Sequence, residues 1–232
     1  AGNVSVDGGT IKLDGNYPHG TDNVALGNLA LDDGSLSGAY NVAIGTEALS
    51  ANTSGQQNTA VGRQSLRDNT TGQYNVALGL NAMRINISGD SNTAVGVQAL
   101  RDNTTGDNNV AVGYTALVSN TTTSNLVAVG YQALSNNTTG GSGVAVGYNA
   151  LEENTTGSGN TAVGRQALQE NTTAGNNTGV GYLALNANTT GAKNTAIGKG
   201  SLALNTTGTL NVASGQDALG ANTTGSSNTA NG

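Results

Sequence analysis

The sequence predicts an all-β fold, a parallel β-solenoid (β-roll) of about twelve 17-residue coils. Three observations predict it. One 17-residue phrase recurs over most of the chain, the phrase is rich in residues that form tight corners, and its apolar pieces are only two or three residues long. Helical repeats need about 33 to 47 residues, so this period has room only for short strands and turns.

A recurring glycine sets the period. It returns at the same 17-residue spacing over eleven consecutive steps from Gly45 to Gly232, whereas the step from Gly27 to Gly45 is one residue longer, which predicts an insertion near Ser37 or Gly38. The consensus is N-[VT]-A-[VIL]-G-x-x-A-L-x-x-N-T-T-G-x-x, and we number its positions 1 to 17 from the first asparagine. The position-5 glycines predicted to form a structural column are Gly45, Gly62, Gly79, Gly96, Gly113, Gly130, Gly147, Gly164, Gly181, Gly198 and Gly215.

Each coil is expected to hold two short strands and two corners. The first strand is the V-A-V piece, as in residues 110–112, and the second begins at A-L, as in residues 116–118. Glycine ends the first strand and N-T-T-G turns the chain after the second, because glycine and asparagine tolerate the positive φ of tight corners. Coils stacked at about 4.8 Å would give a rod on the order of 60 Å long.

Two asparagine columns and one leucine column should run along the rod. The position-1 column is interrupted at Leu126 and Gly143, and the leucine column at position 9 contains one replacement, Met83. Stacked asparagine amides can hydrogen-bond from coil to coil. The position-12 column is predicted to run without a gap through Asn52, Asn69, Asn86, Asn103, Asn120, Asn137, Asn154, Asn171, Asn188, Asn205 and Asn222.

The V-A-V strand is apolar on both of its faces. Positions 2 and 4 point one way and position 3 points the other way, and a strand that is apolar on both faces is usually covered on both. A thin coil can cover only one face with its alanines and leucine. The sequence therefore predicts a partner on the other face, although threonine occupies position 2 in several coils.

Composition excludes several functional classes. Charged residues make up 9% of the chain, against roughly 25% in ordinary proteins, and the net charge of -6 argues against nucleic-acid binding. The absence of cysteine excludes disulfides and thiolate metal sites. No apolar run is long enough to cross a bilayer, so no transmembrane span or membrane insertion is expected.

Residues 1–22 differ from the repeat and are predicted to form an N-terminal cap or connector with a short hairpin. The solenoid domain then covers 23–232 and stops within a coil, so the sequence is expected to be a piece of a longer protein. Pro18 and His19 are the chain's only proline and histidine. A lone histidine in a loop of proline and glycine is expected at the surface, because a metal site needs several ligands.

No arrangement of residues points to catalysis. The chain has one histidine, no cysteine and no carboxylate pair at a fixed position of the repeat, so no catalytic triad or metal cluster can be drawn. The glycines recur at coil corners rather than between a strand and a helix, where a phosphate-binding loop would need them. We therefore expect a protein that is not an enzyme and has no cofactor or metal.

A candidate surface-binding stripe combines tyrosines and arginines. Four tyrosines follow the corner glycine at position 6, with Arg165 interrupting the row, and they could dock sugar rings or simply stack on one another. Three arginines share position 10, beside Asp68 and Asp102, and could contact an anionic polysaccharide or form a solvated face. The stripe consists of Tyr114, Tyr131, Tyr148, Tyr182, Arg67, Arg84 and Arg101.

The phrase N-[VT]-A-[VI]-G-x-x-A, as in residues 41–45 and 194–198, resembles the head repeats of trimeric autotransporter adhesins, the YadA-like heads. That family's repeat is shorter, and the longer form seen here resembles repeats of phage tail fibres. The resemblance implies a left-handed parallel β-roll, a homotrimer, a role in attachment, and an extracellular location on a bacterial surface or a virion tail fibre.

The predicted function is therefore a structural and adhesive module, a trimeric fibre shaft or head. Its partners would be further copies of itself and an unknown cell-surface receptor, with a glycan among the candidates. The alternative is an ice-binding or other surface-binding solenoid. In that case positions 12 and 14 would share a face and form a two-wide array, for example Asn137 with Thr139.

Overall fold

Thirteen short strands form one parallel sheet in a computed structural model that describes residues 22–232. The cap predicted over 1–22 therefore lies outside the described residues, apart from Asp22. The strands are β1 Val24–Leu26, β2 Val42–Ile44, β3 Thr59–Val61, β4 Val76–Leu78, β5 Thr93–Val95, β6 Val110–Val112, β7 Val127–Val129, β8 Val144–Val146, β9 Thr161–Val163, β10 Thr178–Val180, β11 Thr195–Ile197, β12 Val212–Ser214 and β13 Thr229–Asn231.

The strands follow one another in the sheet in the same order as in the chain. Each strand pairs with the next at identical repeat positions, so Val110 lies opposite Val127 and Ala111 lies opposite Ala128. β-branched residues at positions 2 and 4 suit this pleated ladder. The predicted parallel β-solenoid of about twelve 17-residue coils is confirmed.

The second strand predicted in each coil is wrong. Residues 116–118 lie within a continuous turn, and two residues of that turn have left-handed backbone conformations, Thr115 at φ 50° and Leu117 at φ 54°. A strand requires negative φ. The turn still joins neighbouring coils, because the Thr115 N–H donates to Val97 O of the previous coil at 3.0 Å and the Leu117 N–H donates to Ala133 O of the next coil at 2.9 Å.

Alanine and leucine form the core inside the coils. Ala111, Ala116 and Leu117, at positions 3, 8 and 9, are completely buried, and the same positions are buried in most other coils. The strand residues at positions 2 and 4 are half-buried or exposed and point outward. The leucine core and the two-faced strand predicted from the sequence are therefore confirmed.

The position-12 asparagines form a buried column of amides. Asn86 Nδ2 donates to Asn69 Oδ1 at 2.8 Å and to Gly89 O at 3.0 Å, and Asn86 Oδ1 accepts from Asn103 Nδ2 at 2.8 Å. Three hydrogen bonds per side chain satisfy a polar group that would otherwise be costly to bury. The column has one gap that the sequence did not predict, because Asn137 does not reach Asn120.

The position-1 asparagines form a second buried column. Asn58 Nδ2 donates to Gly72 O at 2.8 Å, and the Asn58 N–H donates to Asn41 Oδ1 at 3.0 Å. Where the sequence interrupts this column, Leu126 is fully buried and lies above Gly143, whose hypothetical Cβ would be 3.5 Å from Leu126 Cδ2. A large residue and glycine thus fill the space of two asparagines.

The extra residue of the first coil lies between Leu31 and Ser37, slightly before the predicted place. The Leu31 N–H donates to Ala48 O at 3.0 Å, as the other position-9 residues do, and the Ser37 N–H donates to Thr53 O at 2.6 Å, as position-14 residues do. The intervening loop 32–36 absorbs the insertion. In it, hydrogen bonds from Ser35 lower the pKa of Asp33.

The glycine corner at position 5 has two independent reasons to exclude side chains. Gly96 has a φ of 135°, in a region that L-residues rarely adopt, and a Cβ built on it would lie 2.5 Å from Gly113 O in the next coil. The close stacking of the coils and the positive φ thus both require glycine at this position.

We predict that Gly96→Ala destabilises the solenoid by about 3 kcal/mol or more, because it adds backbone strain and a steric overlap. Thermal unfolding followed by circular dichroism measures the effect. Gly141→Ala is the matched control, since a Cβ at Gly141 meets only Thr123 Cγ2 at 3.7 Å. Equal melting temperatures for the two variants would contradict the steric account.

We predict that Asn86→Ala costs about 2 to 4 kcal/mol, because it leaves Asn69 Oδ1 and Asn103 Nδ2 buried without one of their partners. Asn136→Ala serves as the control, since Asn136 is exposed and its side chain makes one surface hydrogen bond, to Glu153 at 3.1 Å. Denaturant unfolding of both variants provides the comparison. Similar losses would show that the amide column contributes little.

Candidate surface-binding site

The tyrosine column lies next to the outward face of the sheet. Tyr114, Tyr131 and Tyr148 each follow the position-5 glycine that ends a strand, and their side chains remain 42 to 48% exposed. Since coils stack without slipping, the same position in consecutive coils places these rings directly above one another. The local fold therefore produces the ladder from the spacing of the repeat alone.

The three rings are stacked along the rod. The ring centroids of Tyr114 and Tyr131 are 5.3 Å apart with planes 10° from parallel, and those of Tyr131 and Tyr148 are 5.1 Å apart with planes 8° from parallel. These separations are close to the strand spacing of about 4.8 Å, so ring stacking and sheet pairing are compatible.

Arg165 extends the column instead of interrupting it. Its guanidinium carbon lies 5.7 Å from the ring centroid of Tyr148 and 5.5 Å from that of Tyr182. A guanidinium between two rings gains cation–π attraction on both sides. The sequence predicts an interruption at Arg165. In the structure, ring and guanidinium contacts instead continue from Tyr114 to Tyr182 through five consecutive coils.

The stack determines which parts of the rings are accessible. Both faces of Tyr131 are covered by neighbouring tyrosines, and the faces of Tyr148 are covered by Tyr131 and Arg165. Only ring edges and hydroxyl groups of these two residues remain for a ligand. Docking of sugar rings against tyrosine faces is therefore blocked at the centre of the column.

The arginine column carries little uncompensated charge. Arg67 and Arg101 form two hydrogen bonds each with the following aspartate, Asp68 or Asp102, with N–O distances of 2.6 to 2.8 Å. These hydrogen bonds raise the pKa of both guanidinium groups. Arg84 forms no ion pair within residues 22–232, so one of the three cations remains unneutralised there.

The seven predicted residues form two columns rather than one stripe. The buried positions 8 and 9 lie between position 6 and position 10 along the chain. Among residues 22–232, no hydrogen bond, ion pair or ring contact connects a column tyrosine to Arg67, Arg84 or Arg101. Each column must therefore be considered separately.

The two-wide array proposed for ice binding is wrong. Asn137 is fully buried and its Nδ2 donates to Gly140 O at 3.0 Å, whereas Thr139 is exposed. The asparagine turns inward because the corner carbonyl needs a donor. The exposed corner instead shows neighbouring threonines at positions 13 and 14, and the position-13 hydroxyl donates along the rod, as Thr104 Oγ1 does to Thr121 O at 2.9 Å.

Residues 22–232 contain no group of three or more histidine, cysteine or acidic side chains placed to hold a metal ion. No helix long and apolar enough to cross a membrane occurs in the same part of the chain.

Comparisons with protein-family models, curated proteins and solved structures find no match for the chain. The resemblance to adhesin head repeats therefore stands on the repeat phrase alone. The features from which a function can be argued are the outward sheet face and the tyrosine column beside it.

We predict that Tyr131→Ala destabilises the solenoid by about 1 to 3 kcal/mol, because it removes two stacked pairs worth about 0.5 to 1.5 kcal/mol each. Tyr74→Ala is the control, since Tyr74 is 55% exposed and has no stacked ring among the described residues. Thermal unfolding by near-ultraviolet circular dichroism measures both. Indistinguishable melting temperatures would show that the stack adds no stability.

Proposed function

We propose that this chain is a non-enzymatic module of a homotrimeric fibre, a shaft or head that serves attachment to a cell surface. The support is the outward face of the sheet. Its position-4 column is apolar in eleven consecutive coils although it points away from the core. The column consists of Leu26, Ile44, Val61, Leu78, Val95, Val112, Val129, Val146, Val163, Val180 and Ile197.

The size of this face favours a protein partner. Eleven rungs at about 4.8 Å make the apolar position-4 column roughly 50 Å long, and a position-2 column of valine and threonine runs about 6.6 Å beside it. Side chains along the position-4 column are half-buried in the middle coils and exposed in several others, with Ile44 and Val163 at 37% and Ile197 at 48%. Monomeric soluble proteins rarely expose a contiguous apolar patch larger than a few hundred Å².

Further copies of the same chain are the partner we propose. The face has the same period as the rod, so an identical chain in parallel orientation matches it rung by rung. In a closed ring of copies around one axis, cyclic symmetry gives every copy the same contacts. The outward face of each copy is then covered by its neighbours. Three copies are proposed because the repeat phrase resembles that of trimeric adhesin heads and tail fibres.

A mechanical role fits the remaining features. Each coil repeats the same hydrogen bonds to its neighbours, so stability is close to a sum of coil and junction terms, and reach grows with coil number. Charged residues make up only 9% of the chain, so most of the polar surface is neutral. We propose that a receptor contacts the outer columns or another part of the fibre, outside the cell or on a virion.

We predict a mass near three times 22.8 kDa for the purified chain by light scattering. Val112→Asp should reduce that mass to one chain, because a carboxylate would be buried in the shared face. Val118→Asp, at position 10 on another side of the coil, should leave the mass unchanged.

Circular dichroism of both variants checks that the solenoid remains folded. A one-chain mass for the unmodified protein, or an unchanged mass for a folded Val112→Asp, would contradict the trimer. Thermal hysteresis by a one-chain species would instead support the ice-binding alternative.

A further inference from the structure

One corner of each coil, positions 12 to 17, is normally closed against the next coil by five hydrogen bonds. Three donors, the N–H groups of positions 13 and 14 and the position-13 hydroxyl, share one carbonyl of the next coil. The junction between coils 92–108 and 109–125 has all five bonds. The Thr104 N–H, the Thr105 N–H and the Thr104 Oγ1 hydroxyl donate to Thr121 O at 2.7, 3.2 and 2.9 Å. Asn120 Nδ2 donates to Asn103 Oδ1 at 2.9 Å, and the Asn125 N–H donates to Asp107 O at 3.0 Å.

The next junction, between coils 109–125 and 126–142, lacks all five of the equivalent bonds. The Thr121 and Thr122 N–H groups do not reach Thr138 O, and Asn137 does not reach Asn120. Asn120 Oδ1 is buried without a hydrogen-bond partner. The corner keeps only a bond of 3.4 Å from Thr123 Oγ1 to Thr138 O. We call this open corner, residues 121–125 and 138–142, the seam.

Thr123 explains the seam, because it occupies position 15, where nearly every other coil has glycine. A Cβ built on the equivalent Gly140 would lie 2.6 Å from Asn137 Oδ1 and 2.8 Å from Asn154 Nδ2. These two atoms belong to neighbouring amides of the position-12 column. A β-branched side chain at position 15 therefore pushes Asn120 and Asn137 apart.

The other exception at position 15, Ala174, shows that bulk matters. There the amide column is intact, with Asn188 Nδ2 donating to Asn171 Oδ1 at 2.9 Å. A single methyl group is thus accommodated with the column closed, and of the five corner bonds only the one from the Thr173 N–H is missing. Threonine adds a second branch at Cβ, and the column opens.

The opposite side of the same junction is closed. The Gly130 N–H donates to Val112 O at 2.7 Å, and the Leu117 N–H donates to Ala133 O at 2.9 Å. The stacked rings of Tyr114 and Tyr131 also bridge these two coils. The junction is therefore bonded along the sheet and the leucine side but open at the corner, which is the geometry of a hinge.

We propose that the seam is a built-in joint of the rod, where the corner opens first while the sheet and the tyrosine column act as the pivot. The joint divides the solenoid into two cooperative blocks, 23–125 and 126–232. Repeat proteins lose cooperativity where a neighbour interface is weak, so local opening concentrates there. This proposal is independent of the fibre function and of the number of chains.

Hydrogen exchange of the whole purified chain tests the joint. The amides of Thr121, Thr122 and Ser142 should exchange at least about 100-fold faster than those of Thr104, Thr105 and Asn125, which occupy the same positions one coil earlier and have acceptors. Limited proteolysis should cut first within 121–142. Equal protection at both corners, or a first cut elsewhere in residues 22–232, would overturn the proposal.

Thr123→Gly tests the cause. It restores the usual residue and should slow exchange at Thr121 and Thr122 by about 10-fold or more, because the amide column can close. Ala174→Gly is the matched control and should change exchange of the Thr172 amide, which is already bonded to Thr189 O, by less than about 3-fold. Unchanged exchange in folded Thr123→Gly would overturn the assignment of the seam to this side chain.

Discussion

Hydrogen bonding between coils at a fixed offset of one repeat is the constraint on which the rest of this structure depends. Each coil holds a single three-residue strand, too little to form a sheet by itself, so most of the chain must find its backbone partners in the coils above and below. Turn residues such as Leu117 meet this requirement by adopting a left-handed conformation, which directs the N–H along the rod while the side chain remains in the core. The strain of such a residue, on the order of 1 kcal/mol, is offset by its burial and its bond to the next coil.

The same offset explains which residues the interior accepts. Coils stacked at strand spacing leave no room for a Cβ at the position-5 corner, so glycine is required at Gly96 and its equivalents. The narrow interior accepts alanine and one leucine from each coil. Corner carbonyls that cannot reach a backbone donor are satisfied by the inward amide of asparagine, which also bonds to its own copies. Where the interior departs from this pattern, as at Leu126 with Gly143, a second substitution restores the volume but not the amide hydrogen bonds, and the Leu126 N–H still donates to Asn109 Oδ1 at 3.0 Å.

The sequence predicted the features that repeat and missed those that depend on conformation. The period, the parallel pairing, the leucine core and the two faces of the strand all follow from residue spacing. The absence of a second strand could not be read from it, because nothing in Thr115 or Leu117 signals a positive φ. Arg165 looked like an interruption because residue type does not show that a guanidinium can lie between two rings. Thr123 differs from the usual glycine in the sequence, but the cost of its Cβ becomes evident only once the positions of the neighbouring amides are known.

The contrast between outward positions is the strongest support for the partner that we propose. Position 11 also points away from the core and varies freely, with Ala51, Asp68 and Ile85 in successive coils. Position 4 is equally free of constraints from its own coil, yet it stays apolar from Leu26 to Ile197 and becomes polar only in the last two strands, at Ser214 and Asn231. Stacking within one chain does not require an apolar residue at position 4, because a polar side chain on the outer face of a sheet remains hydrated. A column that keeps its apolar character without an internal reason is best explained by contact with another surface, and the period of that column matches a further copy of the rod.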